Sequence, residues 1–145
     1  MRVCNPRGHV TRPDYYGNPA GVTSDIDVVK AIYAAFAARD LEGAIRLLSG
    51  DCQLHLRGTA ALIGRTEPYR GHEGMREYYA DVQRTWDDLV LFAEDFRAIP
   101  GAVVVMGHVE GRADGEPVRR TAVWTWKVKD GKATEVRVAD VGPAA

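Results

Sequence analysis

Four polar side chains could carry acid–base chemistry in this chain: Asp140, Arg120, Glu94 and His55. Asp140 follows Val136 and Val138 at two-residue spacing, so a carboxylate continues an apolar strand face. Burial raises the pKa of such a carboxyl group, whereas a neighbouring guanidinium lowers it, and side chains under these influences are frequent at catalytic sites. Asp140 is therefore the leading candidate for a general base or a ligand anchor. A structural ion pair with Arg120 is the alternative role.

The neighbourhood of Asp140 follows from the turn that precedes its strand. Trp124 lies on the same side of "PVRRTAVWTWKVK" as Arg120, and the apolar character of that side predicts that it faces inward. A three-residue loop over Asp130-Gly131-Lys132, with a glycine bulge, then pairs Ala122 with Asp140. Arg120 and Trp124 become the diagonal neighbours of the carboxylate.

Two further turns assign faces to the preceding strands. A two-residue turn at Asp114-Gly115 pairs Ala122 with Gly107 and points His108 outward, which weakens the case for His108 as a catalyst. The same reasoning across Pro100-Gly101 places Glu94 inward, opposite Gly107. Glu94 then has the same two possible roles as Asp140.

Aromatic and apolar side chains supply the walls of a predicted interior pocket for a small apolar ligand: Tyr33, Trp86, Phe92, Trp124 and Val138. Tyr33 and Trp86 have core packing as their alternative role, although a buried tyrosine hydroxyl requires a polar partner, which a ligand could supply. His55 titrates near neutral pH and is a candidate acid–base group. It lies opposite the apolar face of its own strand, "CQLHLRG", so a surface histidine is the alternative.

The run "GHEG" at residues 71–74 resembles part of a metal-binding helix but lacks the second histidine. A zinc-binding H-E-x-x-H motif needs two histidines one helical turn apart, and the residue four after His72 is Arg76. We therefore interpret the run as a helix start, with Gly71 as the N-cap, Glu73 favourably placed in the first turn and His72 in solvent. The sequence predicts no metal site and no cofactor.

Length and composition predict one soluble globular domain. The chain has 145 residues, 46% of them hydrophobic, and a formal net charge of −1. Its basic residues are scattered, which argues against a nucleic-acid-binding or membrane-surface protein. We find no signal peptide or membrane span, and Cys4 and Cys52 are more simply interpreted as reduced thiols than as a disulfide or a zinc site. A cytoplasmic location is the resulting prediction.

The elements that would position these residues form an α+β pattern. Ser24 is the predicted cap of a first helix, and Asp40 caps a second helix that ends at Ser49-Gly50. One strand, a third helix from Gly71 and four more strands follow. Three N-terminal helices packed on a curved, mostly antiparallel sheet make a cone-shaped roll. The predicted boundaries are a flexible arm over residues 1–22, the domain over residues 23–141 and a tail over residues 142–145.

This order of elements, with "AAFAARDLEGAIRLL", "EPYRGHEGMREYY" and "VWTWKVKDGKATEVRVAD", resembles the SnoaL-like branch of the nuclear transport factor 2-like superfamily. The resemblance runs from about Ser24 to Val141. It implies a cone that encloses one pocket, usually in a homodimer, in a fold that hosts isomerases, epoxide hydrolases, polyketide cyclases and non-catalytic proteins.

The best-defined active sites of that superfamily do not match. Where ketosteroid isomerases carry a tyrosine, an aspartate and a second acid, this chain has Ile32, Leu56-Arg57 and Trp124. The limonene epoxide hydrolase pattern is missing as well, whereas Asp140 could replace the carboxylate of SnoaL-type cyclases. Two function classes stay open: a cofactor-independent acid–base isomerase, cyclase or hydrolase, and a non-catalytic ligand-binding or dimerisation module.

The outward side of the predicted sheet carries an apolar patch. By the turn arguments it consists of Val104, Met106, Val123 and Thr125. Such a patch on an otherwise charged sheet is more easily explained by a partner than by water, so the sequence predicts a homodimer through this face.

Overall fold

The computed structural model describes residues 2–4, 24–56, 59 and 63–143, with the backbone alone for 2–4 and 140–143. Within these residues the chain is an α+β fold, as predicted. Its elements in chain order are β1 (Arg2–Cys4), α1 (Asp25–Ala37), α2 (Leu41–Ile45), β2 (Leu48–His55), β3 (Tyr69–Arg70), α3 (Gly71–Thr85), β4 (Trp86–Ile99), β5 (Ala102–Ala113), β6 (Glu116–Lys129) and β7 (Lys132–Pro143).

One sheet contains all seven of these strands, in the order β1-β4-β5-β6-β7-β2-β3. Strands β4 to β7 are antiparallel neighbours, whereas β1 pairs in parallel with β4, and β2 with β7. The mostly antiparallel sheet is therefore confirmed. We call the face with buried Val105, Trp124 and Val136 the inner face, and the opposite face the outer face. Helix α1 packs on the inner face, where Tyr33 contacts Trp124.

Helices α1 and α2 begin where capping side chains predict. Ser24 accepts a hydrogen bond from the Asp27 backbone at 3.2 Å, and Asp40 accepts one from Gly43 at 2.9 Å. Helix α2 ends at Ile45, earlier than predicted, and Leu48 begins β2, where it pairs with Ala133. Leu48 is buried, and a buried leucine fits the end of a helix as well as the start of a strand. Its apolar character therefore does not distinguish the two.

The "GHEG" run does begin a helix, with different end contacts from those predicted. Gly71 is the first helical residue at φ 68°, and a methyl group there would lie 2.7 Å from the Gly50 carbonyl oxygen. Arg70 is the N-cap and makes no side-chain capping bond. His72 is half-buried, and its Nε2 donates to the Leu48 carbonyl at 2.9 Å, which ties α3 to β2.

The turn before β7 is shorter than predicted, although the register beyond it is the predicted one. Asp130 and Gly131 both have positive φ, 53° and 78°, and form a two-residue turn, because Asp-Gly tolerates left-handed backbone at both positions. The extra residue is Thr134, which forms a bulge within β7. Ala122 consequently pairs with Asp140.

A second bulge overturns the predicted faces of β4 up to Glu94, whereas Phe96 lies on the inner face as predicted. Strand β4 pairs Ala93 with Gly107 and Phe92 with His108, and leaves Glu94 unpaired. The prediction that Phe92 and Glu94 face inward is therefore wrong, because one extra residue exchanges the two faces of a strand. Ala93 is the inward residue and is 3% exposed.

The predicted N-terminal arm begins with an edge strand. Residues 2–4 pair with residues 90–92 of β4, and residues 5–22 lie outside the described residues. At the other end, β7 continues to Pro143, two residues past the predicted domain end. No helix in the described ranges is long and apolar enough to cross a membrane.

The core contains a free thiol. Cys52 on β2 is fully buried, and burial, with Asp51 and Glu135 nearby, raises the pKa of this thiol to about 12. A thiol in this state is a small apolar core residue and not a nucleophile.

Candidate functional site

The inner face carries an aromatic cluster around Tyr33, which α1 places against the sheet. The Tyr33 ring makes edge contacts with Phe96, Trp124 and Trp126 at centroid distances of 5.6, 6.0 and 5.8 Å. The Trp126 indole Nε1 donates to the Tyr33 oxygen at 3.2 Å. Tyr33 is 4% exposed, and burial raises the pKa of its hydroxyl although the indole bond opposes that shift. We call these four residues the Tyr33 cluster.

Beside the Tyr33 cluster lies a row of small residues across three strands. Ala93, Gly107 and Ala122 pair in succession on β4, β5 and β6, and Ala122 pairs with Asp140 on β7. The two alanines are 3% and 1% exposed. We call Ala93, Gly107 and Ala122 the small-residue row. The predicted pairing of Asp140 is thus present in the backbone, and its side chain lies outside the described part of the chain.

The predicted neighbours of Asp140 differ in their surroundings. Trp124 is buried and pairs with half-buried Val138, as the predicted wall requires. Arg120 pairs with Val109 and Pro143 near the end of the sheet, and its side chain is exposed. Arg120 therefore lies at the rim of the inner face, not within the core.

Trp86 belongs to a hydrogen-bonded group that the sequence did not reveal. Its indole Nε1 donates to the Thr59 hydroxyl at 3.0 Å, and Thr59 also hydrogen-bonds Tyr78. Thr59 is 5% exposed. Burial raises the pKa of Tyr78 to about 12. The predicted wall residue Trp86 is thus anchored to the segment that follows β2.

A buried carboxylate on α3 was also missed. The Tyr69 hydroxyl donates to Asp81 Oδ2 at 2.8 Å, and Arg84 pairs with the same carboxylate. Asp81 is 4% exposed; burial and this carboxylate together raise the pKa of Tyr69. The available signal was spacing: Asp81 follows Tyr78 by three residues, which places both on one face of a helix.

His55 lies on the outer face, on the opposite side of the sheet from the Tyr33 cluster. It pairs in register with Arg137, and its Nε2 lies 3.2 Å from Gln53 Oε1. Partial burial and then Arg137 lower the pKa of His55. The side chain lines an outer groove of about 720 Å³ with Thr125 and Arg65 among its other walls.

Glu94 and Phe92 also contribute to the outer face. Glu94 Oε1 lies 2.6 Å from His108 Nδ1, Glu110 Oε2 lies 3.2 Å from His108 Nε2, and Phe92 stacks on the imidazole at 4.2 Å. The structure therefore separates Glu94, Phe92 and His55 from Tyr33 and Trp124. In the described ranges, no three His, Cys, Asp or Glu side chains are grouped so as to hold a metal ion.

Solved structures share this fold. A nuclear transport factor 2-like protein from Burkholderia pseudomallei is 21% identical and covers 82% of this chain and 92% of its own, with a TM-score of 0.72. A putative polyketide cyclase from Sinorhizobium meliloti is 18% identical over 78% of this chain and 94% of its own, with a TM-score of 0.62. TerC, co-crystallised with polyporic acid, is 29% identical over 79% of this chain and 89% of its own, with a TM-score of 0.69.

The family assignment rests on a sequence match that spans most of the chain. No curated protein sequence matches significantly. The model of the SnoaL-like domain matches residues 29–136, from α1 to the middle of β7. This chain therefore belongs to the SnoaL-like domain family.

Proposed function

We propose that the protein binds a small apolar molecule with aromatic character inside the cone, between the inner face and the helices. The observation that carries this proposal is the inner face itself, where the small-residue row runs beside the Tyr33 cluster and leads to Asp140. A flat ligand can approach a sheet backbone only where side chains are this small, and aromatic rings supply favourable edges and faces.

The similarity to TerC supports an aromatic ligand. TerC was co-crystallised with polyporic acid, and its sequence identity of 29% is higher than that of the other two structures described. Polyporic acid is therefore the first ligand to test. A cytoplasmic location, predicted from the sequence, is part of this proposal.

Acid–base catalysis is a second step of the proposal and centres on Asp140. Its backbone pairs with Ala122, at the end of the small-residue row. There a carboxylate can take a proton from a ligand carbon and return it to another position, so that the ligand is isomerised without a change in composition. The alternative is a non-catalytic binding module, which is favoured by the three aromatic rings packed around Tyr33.

Binding is tested by titrating the protein with polyporic acid and following tryptophan fluorescence. Ala122→Leu places a bulky side chain in the small-residue row, and we expect it to weaken binding at least tenfold. Thr121→Val is the matched control, because Thr121 is the adjacent residue of β6 and faces outward opposite His108. Equal affinities for wild type and Ala122→Leu, with both variants folded by circular dichroism, would contradict an interior site.

Catalysis is tested on any small molecule that co-purifies with the protein, identified by native mass spectrometry. Asp140→Asn keeps the shape of the side chain and removes the base, so turnover should be lost while affinity changes little. Turnover at the wild-type rate would leave the binding proposal standing and remove the catalytic one.

A further inference from the structure

The outer groove beside His55 lies at the end of β2. Strand β2 pairs with β7 as far as His55 and Arg137, and residues 65–68 flank the space beyond that pair. The groove encloses about 720 Å³, within the range of about 300–1,000 Å³ typical of small-molecule sites. Its apolar walls include Leu56, Pro68, Val123, Val138 and Ala139. The groove therefore suits a ligand with an apolar body.

Charged groups on both strands beside β2 act on the imidazole of His55. Burial and then Arg137 on β7 lower the pKa of His55, and Arg70 on β3 adds to this effect, whereas Glu135 on β7 opposes it. Two cations and one anion thus act on the imidazole. The charged and titratable residues that line the groove in the described ranges are His55, Arg65, Glu67 and Arg137. This part of the groove favours a negative charge on a ligand.

Arg65 forms a wall of the groove and has its donors occupied. Its guanidinium donates to the backbone carbonyl groups of Glu67 and Pro68 at 2.9 and 3.3 Å. It also pairs with Glu77 of α3 at 2.8 Å. These contacts hold this flank of the groove beside α3. An anion in the groove must therefore be bound by other side chains.

Arg137 and His55 each retain a nitrogen for a ligand. Arg137 donates to Glu135 from Nε and Nη2, at 3.0 and 3.5 Å, and its Nη1 has no partner in the described part of the chain. His55 Nε2 lies 3.2 Å from Gln53 Oε1, which assigns the proton of the neutral imidazole to Nε2. His55 Nδ1 is then an acceptor, and it becomes a donor when His55 is protonated. Arg137 can therefore bind an anion whatever the pH, and His55 adds a second donor in acid.

We propose that this groove, within a single chain, binds a small monocarboxylate with an aromatic body. Arg137 donates to the carboxylate, protonated His55 joins it below neutral pH, and the ring lies against the apolar walls. A guanidinium group binds a carboxylate through charge-assisted hydrogen bonds, and the walls favour an aromatic acid over an inorganic anion. The site is separate from the cone, so it does not depend on the proposed function.

The test follows the imidazole proton signal of His55 by NMR, assigned by its absence from His55→Gln. The probes are 2-naphthoate and 2-naphthamide, which have the same rings and differ in charge. Saturating 2-naphthoate should raise the midpoint of the His55 titration, because an anion stabilises the imidazolium, whereas 2-naphthamide should leave it unchanged. The affinity for 2-naphthoate should accordingly rise about threefold from pH 7.5 to pH 5.5. An unmoved midpoint would overturn the proposal without any variant of Arg137.

Arg137→Gln removes the main donor, and Arg97→Gln is its matched control. Each arginine bonds through Nε to a carboxylate two residues earlier on its own strand, Glu135 at 3.0 Å and Asp95 at 2.9 Å. Arg97 does not line the groove in the described structure. We expect the affinity for 2-naphthoate, measured from the His55 signal, to fall about tenfold in Arg137→Gln and less than about twofold in Arg97→Gln. Equal losses would contradict the assigned role of Arg137.

Acetate and two further variants locate the ligand. Acetate should bind about tenfold more weakly than 2-naphthoate, because it cannot use the apolar walls, and equal affinities would overturn the aromatic body. Ala122→Leu, inside the cone, should leave the affinity for 2-naphthoate unchanged, and a loss would place 2-naphthoate in the cone. Loss of polyporic acid binding in the same variant is a separate result, so each proposal can fail alone.

The groove shares Val123 and Thr125 with the apolar patch of the predicted homodimer. Met106 belongs to that patch and is not among the described residues that line the groove. Met106→Lys should therefore keep the wild-type affinity for 2-naphthoate. A loss in this variant would mean that a second copy completes the site, and would overturn a site formed within one chain.

Discussion

The Phe92 carbonyl oxygen occupies the space where Gly107 would carry a side chain: a methyl group on Gly107 would lie 1.7 Å from it. The approach is possible because Gly107 has no Cβ, and it accompanies the bulge that leaves Glu94 unpaired. This contact decides which residues of β4 face inward. It turns Ala93 toward the core and leaves Phe92 and Glu94 on the outer face.

Gly107→Ala should therefore destabilise the protein strongly. The clash is with backbone, so β4 must shift, and we expect the free energy of unfolding to fall by about 2 kcal/mol or more. Gly50→Ala is the control, because no atom lies within 4 Å of a methyl group placed there. Urea unfolding of the two variants measures the difference, and equal stabilities would refute the assigned role of Gly107.

The buried pair of Tyr69 and Asp81 should show energetic coupling. Tyr69→Phe removes the donor at 2.8 Å and leaves a 4% exposed carboxylate with one partner fewer, at a cost of about 1–3 kcal/mol. Once Asp81→Asn has removed the charge, Tyr69→Phe should cost about 1 kcal/mol less. A double-mutant cycle by urea unfolding measures this coupling, and additive effects would show that the negative charge of Asp81 does not strengthen the bond.

His55 should make stability depend on pH below neutrality. Its pKa is lowered on folding, first by partial burial and then by Arg137, so the unfolded chain binds the proton more readily. The free energy of unfolding should therefore fall as pH drops from about 6.5 through the folded-state pKa of His55. Above about pH 6.5, His55 should cause no pH dependence of stability.

The matched variant for this dependence is His55→Gln, which cannot titrate. It should lose less stability than wild type between pH 7.5 and pH 5, measured by urea unfolding at each pH. The lowered pKa of Glu135, caused mainly by its hydrogen bond from Arg137, acts at lower pH and is common to both proteins. Parallel pH profiles would mean that His55 titrates alike in the folded and unfolded chains.

The outer face is the proposed site of a homodimer. Val104, Met106, Val123 and Thr125 are half-buried neighbours on β5 and β6, with Val104 opposite Thr125 and Met106 opposite Val123. Met106→Lys places a charge in this patch and should produce a monomer in sedimentation equilibrium at tens of micromolar. Glu116→Lys, an exposed residue beside the β5–β6 turn, should leave the assembly unchanged. A wild-type monomer would refute the proposal.

The sequence predicted the register of β5, β6 and β7 correctly because Asp-Gly turns and alternating apolar residues constrain it together. Ala122 pairs with Gly107 and Asp140, as expected, even though the predicted three-residue loop is a two-residue turn with a bulge at Thr134. Both arrangements add one residue to the same strand, so they give the same faces beyond it.

Strand β4 could not be predicted in the same way. Its bulge accompanies a close approach of the Phe92 carbonyl oxygen to Gly107, on a different strand. A glycine and a backbone carbonyl leave no side-chain pattern in the sequence from which this approach could be predicted. The alternation of Phe92, Glu94 and Phe96 suggested one regular strand, and tertiary packing overrode it. The Tyr69–Asp81 bond was missed for a related reason, since helical spacing shows which face Asp81 occupies but not which residue of β3 meets it.

The rate at which the buried Cys52 thiol is alkylated can measure how often the sheet opens. Alkylating reagents attack the thiolate, and neither solvent access nor deprotonation is available to this side chain in the closed fold. In a Cys4→Ser variant, the rate of Cys52 alkylation therefore measures how often the structure opens to expose β2 between α3 and β7. A ligand that stabilises the closed cone would slow this alkylation in proportion to the fraction of protein bound. Ligand affinity could then be measured without any optical signal from the ligand.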